Sequence, residues 1–258
     1  MSGPAGWFDG ASRVLFVHAH PDDETIATGG TLAALAAAGR EPLLVTLSRG
    51  ERGEAVPGSF AGSAGPAGLA AHREGELAAA LAALGVSSHA FLGSAPARAA
   101  GLPARVYEDS GMAWGPDGFA AAASDGSVGA LTRAPAAEAL NDLIAAAVAW
   151  DAEAVVSYDE RGGYGHPDHV FAHRAARAVA HGLELPYWEI VADRAGDPPP
   201  REELELHDAA PWLDRKLVAL RAHGTQLTVE DEDEGPVIVH VGGQREPVGH
   251  LEVFRRMG

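Results

Sequence analysis

Two histidine–proline–aspartate segments, far apart in the chain, carry the side chains best suited to chemistry. The first is AHPDDE at 19–24 and the second is GHPDH at 165–169. Neighbouring carboxylates repel one another and are costly to desolvate, and a divalent cation offsets that cost. Histidine and aspartate are common ligands of zinc and similar ions. The alternative for the first segment is a polar turn in which Asp22 or Asp23 only caps the next helix.

Each segment lies shortly after an apolar run of strand type, 14–17 in the first case and 155–158 in the second. In an open α/β sheet, ligands bind beyond the carboxyl ends of the strands. We therefore expect the two segments to converge on one point. Three protein ligands with an open fourth position would make that point a catalytic zinc site.

The spacing inside the segments separates candidate ligands from a candidate base. His20 and Asp23 are three residues apart, so both can face one ion if a helix begins there. Asp22 lies between them and points elsewhere, which leaves it available for proton transfer. His166 and His169 repeat the three-residue spacing, and the spacing leaves open which of them binds the ion.

The other histidines form no comparable pattern. His173, four residues after His169, is a rival ligand that we interpret as a helix-surface or outer-sphere residue. We interpret His18 as a buried, hydrogen-bonded histidine. Five further histidines are expected at the surface: His72, His181, His207, His240 and His250.

Two further polar residues have both a structural and a functional interpretation. Arg73 is one of few cations in an acidic chain. It either pairs with Glu74 or Glu76 on its own helix or grips a polar substrate. Asp109 is typical of a turn, and the adjacent Ser-Gly pair and nearby aromatic residues favour a role at a site.

Composition narrows the class of protein. The 258 residues suffice for one medium-sized domain, or one domain with an appended piece. The formal net charge of −17 argues against binding to nucleic acid or to an anionic membrane surface. The chain has no cysteine, so any metal is held by His, Asp or Glu. We recognise no signal peptide and no membrane-spanning run, and we expect a cytoplasmic protein whose oligomeric state stays open.

The alternation of strand-like and helix-like segments predicts an α/β fold: a Rossmann-like, mostly parallel sheet flanked by helices. The expected strands after the first are 42–47, 89–92, 154–158 and 186–191. The expected helices are 25–38, 69–84, 135–149, 170–180 and 212–222. Residues 93–132 are the least regular region, which is typical of a functional loop or lid.

Residues 1–192 would form this Rossmann-like domain, and 193–258 a smaller C-terminal α+β part that completes the substrate pocket. The proline-rich stretch 193–200 is expected to be a linker, and the acidic run 230–234 a solvated loop. A terminal hairpin is expected from 237–241 and 248–254, joined through Gly242 and Gly243.

The two segments and their order resemble the zinc-dependent LmbE-like, or N-acetylglucosaminyl-phosphatidylinositol de-N-acetylase, family. Three further pieces are similar to its actinobacterial mycothiol branch: REGEL at 73–77, DSGM at 109–112 and AHGTQ at 222–226. That branch contains an N-acetylglucosaminyl-inositol deacetylase and a mycothiol S-conjugate amidase. The amidases tend to carry a lysine where this chain has Ala27, and this difference favours the deacetylase.

The resemblance implies a role for each residue of the two segments. His20, Asp23 and His169 match the metal ligands, Asp22 matches the general base, and His166 matches the residue that stabilises the oxyanion.

The resemblance also implies roles around these residues. Asp168 would orient His166, and Tyr164 matches a mobile tyrosine that assists the tetrahedral intermediate. Arg73 and Asp109 match residues that hold sugar or inositol hydroxyls.

The implied function is removal of the N-acetyl group from a small N-acetylglucosamine-containing substrate, with one Zn²⁺ per chain. His and carboxylate ligands also suit iron, cobalt or manganese. An amidase acting on a mycothiol S-conjugate and a deacetylase of another amino-sugar conjugate remain alternatives. A non-catalytic sugar- or nucleotide-binding module is a third, although Gly29-Gly30 is not a dinucleotide fingerprint.

Overall fold

The computed structural model describes residues 3–61, 65–114, 120–123, 127–191 and 204–258. Its strands are β1 (Arg13–His18), β2 (Glu41–Thr46), β3 (Ser88–Phe91), β4 (Met112–Trp114), β5 (Ala120–Ala122), β6 (Ala154–Tyr158), β7 (Tyr187–Ile190), β8 (Leu204–Asp208), β9 (Leu227–Glu232), β10 (Gly235–His240), β11 (Arg245–Pro247) and β12 (Leu251–Met257). Its helices are α1 (Asp23–Ala37), α2 (Gly65–Leu84), α3 (Ala136–Ala149), the single turn α4 (Gly162–Gly165), α5 (Pro167–Gly182) and α6 (Leu213–Ala222).

A seven-stranded sheet in the order β3-β2-β1-β6-β7-β12-β8 forms the centre of the fold. The strands from β3 to β7 pair in parallel, and β12 pairs antiparallel with both β7 and β8. The mostly parallel α/β sheet predicted from the sequence is therefore confirmed. The chain runs outward from β1 through β2 to β3, and then returns to place β6 on the other side of β1. The carboxyl ends of β1 and β6 consequently flank the point where the strand order reverses, which is where open α/β sheets bind ligands.

Helices cover both faces of the central strands. Because successive strand residues point to opposite faces, each strand contributes side chains to two core layers. Leu15 and Val155 pack in one core layer with side chains of α3 and α5. Phe16 and Val156 pack in the other layer with side chains of α1 and α2. These two layers hold β1 and β6 rigidly, and so they fix the loops that follow them.

The C-terminal part differs from the expected hairpin. The glycine turn at 242–243 joins β10 to β11, and these strands form a three-stranded antiparallel sheet with β9. The last strand, β12, lies instead in the central sheet. Its burial alternates, and Glu252 and Phe254 share the buried face: Phe254 packs in the core layer that contains α1, and Glu252 accepts hydrogen bonds from backbone N–H groups of α1. A period-2 pattern identifies a strand but not its partner, which is why the sequence did not predict this placement.

The acidic run 230–234 is exposed, as expected, and residues 233–234 form a turn, but residues 230–232 belong to a strand. Glu230 and Glu232 lie in β9, and Arg245 of β11 donates hydrogen bonds to both carboxylates. An arginine on the same sheet removes the repulsion that made a strand improbable there.

Helix bounds differ from expectation mainly at their starts. Helix α2 begins at Gly65 and α5 at Pro167, each earlier than the apolar spacing indicated. In α5 the reason is local, because His166 caps the helix and proline suits the first helical position.

Part of 93–132 is regular, with β4 paired to β5 and a bridge from Glu108 to Ala130. The expected linker 193–200 lies outside the described residues, and no helix within the described ranges is long and apolar enough to cross a bilayer.

Candidate active site and metal-binding residues

The turn between β1 and α1 brings His20 and Asp23 together. The Asp23 Oδ2 atom accepts a hydrogen bond from the His20 backbone N–H at 2.9 Å. It also lies 3.3 Å from His20 Nδ1. The i,i+3 spacing seen in the sequence is thus realised, because α1 begins at Asp23.

The second segment enters the same place from the other side of β1. His166 caps α5, and its Nδ1 accepts a hydrogen bond from the Asp168 backbone N–H at 3.1 Å. His169 lies in the first turn of α5, and its ring stacks on Tyr158 with 4.2 Å between centroids. Its Nε2 atom lies 3.3 Å from Asp23 Oδ2. The two segments therefore converge at the carboxyl ends of β1 and β6.

Several sets of side chains here could hold a divalent ion. Ligand atoms of His20, His166 and His169 lie within 4.8 Å of one another, and so do those of His20, Asp109 and Asp168. The trio named by the family resemblance is linked through Asp23, whose Oδ2 atom is 3.3 Å from a nitrogen of His20 and of His169. Two ligand atoms on one tetrahedral zinc lie roughly 3.3 Å apart when each bond is about 2.0–2.1 Å. The donor set therefore fits a metal ion.

Two buried atoms without a hydrogen-bond partner strengthen that fit. They are His169 Nε2 and Asp168 Oδ1, both at the convergence point. Buried polar atoms are nearly always satisfied, so an orphaned imidazole nitrogen facing a carboxylate is the expected state of a metal ligand without its ion.

The electrostatics of the pair also favour a cation. Burial alone would raise the pKa of Asp23, but His169 and His20 hold it well below the usual range. Burial opposes protonation of His20, yet Asp109, Asp168 and Asp23 raise its pKa well above the usual value. The raised pKa of His20 reflects the carboxylates gathered around it, and the lowered pKa of Asp23 keeps that carboxylate ionised, so both shifts favour a bound cation.

Asp22 adopts a backbone conformation that is rare for an aspartate, with φ 111° and ψ −35°. Residues in such regions cost about 1–3 kcal/mol each and cluster at functional sites. The side chain makes no capping hydrogen bond to α1, so the capping alternative is wrong for Asp22. Burial, and next the charge of Asp23, raise the pKa of Asp22 to about 7, while His223 and Arg73 oppose the shift. A carboxylate with a pKa near neutrality suits a general base.

His166 and Asp168 interact differently from the expectation. The Asp168 side chain does not orient the His166 ring; its Oδ2 accepts from the Ser110 backbone N–H at 2.9 Å and lies 3.2 Å from His20 Nε2. The hydrogen bond between the two residues instead runs from the Asp168 backbone N–H to His166 Nδ1. Because His166 Nδ1 accepts that hydrogen bond, the neutral ring carries its proton on Nε2. Burial, and then the neighbouring His20 and His169, lower the pKa of His166 to about 2, which favours the neutral ring.

Arg73 is buried beside the site and does not pair with the acids on its own helix. Its guanidinium donates to the backbone carbonyls of Gly50 and Glu54 in the loop after β2. Glu74 pairs with Arg49 instead. The helix-pairing alternative is therefore wrong, and the charge of Arg73 reaches Asp22, whose pKa it lowers.

Asp109 is both a turn residue and a member of the site. Its Oδ1 atom accepts from the Gly111 backbone N–H at 2.8 Å, which is the side-chain turn typical of aspartate. The same atom lies 3.7 Å from His20 Nε2. The turn therefore aims a buried carboxylate at the cluster.

Tyr164 lies on the α4 turn at the edge of the site. Its ring centroid is 5.2 Å from that of His169 and 6.1 Å from that of His166, and the residue is 44% exposed. The turn requires Gly162, which has φ 62° and whose added Cβ would lie 2.6 Å from the Val170 nitrogen. This close approach directs the partly exposed tyrosine over the two histidines.

A buried group behind Asp22 was not predicted from the sequence. The Glu24 carboxylate accepts from the Asp22 backbone N–H at 3.0 Å and lies 3.1 Å from His223 Nε2. Both Glu24 and His223 are fully buried. Burial opposes protonation of His223, but Glu24 and then Asp22 raise its pKa. The only signal in the sequence was the AHGTQ piece, whose burial depends on tertiary packing.

Among the histidines outside the two segments, His207 differs from the prediction. It was expected at the surface but is fully buried, stacked on Trp7 with 3.9 Å between ring centroids. The expectation that His18 is buried and hydrogen-bonded is confirmed, since its nitrogens lie within hydrogen-bond distance of Tyr158 Oη and Thr28 Oγ1. His173 is buried rather than on the helix surface, and its Nδ1 lies 2.9 Å from the Tyr158 carbonyl oxygen.

A family model described as GlcNAc-PI de-N-acetylase (PIG-L) matches residues 15–180, a range that contains both histidine–proline–aspartate segments. The chain belongs to this family. Its fold agrees with that of a deacetylase from the teicoplanin biosynthesis pathway, at a TM-score of 0.60 and 20% identity over 95% of this chain and 97% of that one.

Curated relatives of the GlcNAc-PI de-N-acetylase family match most of the chain. A protein of Kineococcus radiotolerans is 37% identical over 96% of this chain and 78% of its own length. A protein of Nocardioides sp. is 34% identical over 94% of this chain and 91% of its own length. Both are named 1D-myo-inositol 2-acetamido-2-deoxy-alpha-D-glucopyranoside deacetylase.

Proposed function

We propose that this protein hydrolyses the N-acetyl group of an inositol-linked N-acetylglucosamine, releasing acetate and the free amine, as in mycothiol biosynthesis. The observation that carries the proposal is the convergence of the two segments, with Asp23 Oδ2 3.3 Å from both His20 and His169 and with Asp22 beside them. The names of its relatives support the choice of substrate. A small soluble sugar substrate also suits the cytoplasmic location expected from the sequence.

We assign the metal ligands to His20, Asp23 and His169, with zinc as the ion that suits this donor set best. When bound, such an ion acidifies a coordinated water and polarises the acetyl carbonyl. His169 is preferred to His166 as the third ligand because its Nε2 is orphaned and faces Asp23.

Asp22 is the general base of the proposal. Its raised pKa permits it to take a proton from the attacking water near neutral pH and to return that proton to the leaving amine. Its carboxylate makes no capping hydrogen bond to α1. It thus remains available to substrate while its neighbour Asp23 serves the metal.

His166 donates from Nε2 to the oxygen on which negative charge develops. A preorganised donor in a water-poor site is worth roughly 3 kcal/mol of transition-state stabilisation, and a neutral imidazole can supply it. Tyr164 stands at the open side of the same histidines and assists from there. Asp168 positions His20 through its side chain and His166 through its backbone.

Arg73 and Asp109 hold the hydroxyls of the sugar or inositol. Both are buried at the rim of the cluster: Arg73 lies on α2 and is hydrogen-bonded to the loop after β2, and Asp109 lies on the loop before β4. A guanidinium and a carboxylate at fixed positions offer a donor and an acceptor to a vicinal diol. The C-terminal sheet would complete the pocket: the pKa of His240 on β10 is raised chiefly by its hydrogen bond to Glu246, and the charges of Asp22 and Asp23 also raise it.

Acetate release tests this function directly. The purified protein is assayed with the inositol-linked acetylglucosamine, with free N-acetylglucosamine and with a mycothiol S-conjugate, each with and without a chelator. We expect fastest release from the inositol-linked sugar, loss of release with chelator, and recovery on adding Zn²⁺. Faster cleavage of the S-conjugate would replace the deacetylase by the amidase, and full activity in chelator would contradict the metal-dependent proposal.

A further inference from the structure

The buried pair Glu24–His223 has no role in the mechanism described so far. Both side chains are fully buried, and they lie directly behind Asp22. One carboxylate oxygen, Oε2, accepts the Asp22 backbone N–H at 3.0 Å. The other, Oε1, accepts from the Thr25 hydroxyl and lies 3.1 Å from His223 Nε2. A carboxylate accepts only, so His223 donates to it.

His223 is itself held from the C-terminal part of the chain. It ends α6, and its carbonyl accepts the backbone N–H groups of Gln226 and Leu227. Its Nδ1 lies 3.2 Å from the Gln226 side-chain amide nitrogen. The imidazole therefore has polar partners on both sides, and it links the α6–β9 junction to the start of α1.

Asp22 needs such support because its backbone is strained. Its φ of 111° lies in a region that L-residues rarely occupy. On its carbonyl side, Thr25 and Ile26 donate their N–H groups to it in the first turn of α1. On its amide side, Asp22 donates its N–H to the Glu24 carboxylate, which is in turn held by His223 from the C-terminal part of the chain. Strained conformations persist only where the surroundings over-determine them.

We propose that Glu24 and His223 are positioning residues that hold the Asp22 peptide in its strained conformation and so aim its carboxylate at the water to be deprotonated. This inference rests on the proposed role of Asp22 as the base. The competing explanation is that the pair only joins α1 to α6 and adds stability. If the pair positions Asp22, its loss lowers kcat as well as stability. If the pair only adds stability, its loss has no more effect on kcat than another destabilising substitution on α6.

The test compares His223→Ala and His223→Gln with Leu220→Ala. Leu220 is fully buried on the same helix, α6, and packs in the C-terminal apolar cluster. Gln retains a side-chain N–H for Glu24, whereas Ala removes it. We expect His223→Ala to lower kcat on the order of 100-fold, with KM and bound metal per chain near wild type, because small displacements of reacting groups cost that much. His223→Gln should restore most of kcat, and Leu220→Ala should lower Tm while keeping kcat.

A crystal structure of the His223 variants gives a readout independent of activity. We expect φ of residue 22 to leave the positive range in His223→Ala and to return to it in His223→Gln. A kcat for His223→Ala equal to that of Leu220→Ala, or an unchanged φ at residue 22, would overturn the proposal. Should His223→Ala fail to fold, His223→Asn, which is too short to reach Glu24, takes its place with the same expectations. If the wild-type protein hydrolyses no acetamido sugar, the proposed function fails, while the φ comparison still decides whether the pair positions Asp22.

Discussion

Asp23 and His169, which come from opposite ends of the matched family region, approach to 3.3 Å between Oδ2 and Nε2. Parallel pairing of β1 with β6 is the cause, because it brings the carboxyl ends of both strands to the same edge of the sheet. The contact joins a carboxylate whose pKa is held low to an imidazole nitrogen that has no other partner. The predictions below follow from this contact and its surroundings.

Asp22→Asn should abolish most turnover without removing the metal. Asn has the same shape as Asp and tolerates the positive φ, but it cannot accept a proton. We expect kcat to fall by roughly 100- to 10,000-fold, the range of general acid–base catalysis. Steady-state kinetics together with metal analysis checks this. A variant that loses its metal along with its activity would make Asp22 a ligand instead of the base.

His169→Ala should lose the metal, because the substitution removes one of three ligands. The matched control is His173→Gln, which changes the rival histidine of the same helix, one that binds the Tyr158 carbonyl instead. We expect wild-type metal content in the control and none above background in His169→Ala, as measured by metal analysis of the purified proteins. Retention of metal in His169→Ala would refute the assignment.

Asp109→Asn separates the two roles of Asp109. The Asn side chain still accepts the Gly111 N–H and so keeps the turn, but it removes the negative charge beside His20. We expect KM for the sugar to rise about 10-fold, one lost hydrogen bond to a charged group, with Tm unchanged. Asp109→Ala should raise KM and also lower Tm. An unchanged kcat/KM in Asp109→Asn would leave Asp109 as a turn residue only.

Gly30→Ala should destabilise the fold although glycine is a poor helix former. A Cβ at Gly30 would overlap that of Ala209 and crowd the Glu252 carboxylate, which accepts from two backbone N–H groups of α1 and from Lys216. Overpacking of this kind costs about 1–3 kcal/mol.

Gly75→Ala is the matched control for that substitution, since a Cβ at this position of α2 meets nothing within 4 Å. It should stabilise the protein by about 0.5–1 kcal/mol through helix propensity. Chemical denaturation of both variants measures the two changes. Equal effects on the free energy of unfolding would contradict the packing explanation for Gly30.

The sequence predicted the parts of this molecule that depend on local pattern and on parallel topology. The strands β1 and β6 and the spacing of His20 and Asp23 follow from short-range patterns, and their convergence follows from the way parallel strands end at one edge. For the same reason, the helix after each strand was expected within a few residues of its observed start.

Other features depend on packing between distant segments, and the sequence could not predict them. The placement of β12 between β7 and β8 depends on which strand edge was available, not on its own alternation. The buried states of His207 and His223 depend on Trp7 and on Glu24, which lie far away in the chain. The Asp168 side chain lies at His20 where the loop before β4 supplies the Ser110 amide to the same carboxylate oxygen, Oδ2.

The most direct test of the site is a crystal structure of the metal-loaded protein, with the ion located by anomalous scattering. The account predicts one ion per chain, bound by His20, Asp23 and His169, with water in the remaining position and with His166 Nε2 and the Asp22 carboxylate facing that water. An ion bound elsewhere, or a fourth side chain filling the open position, would contradict it.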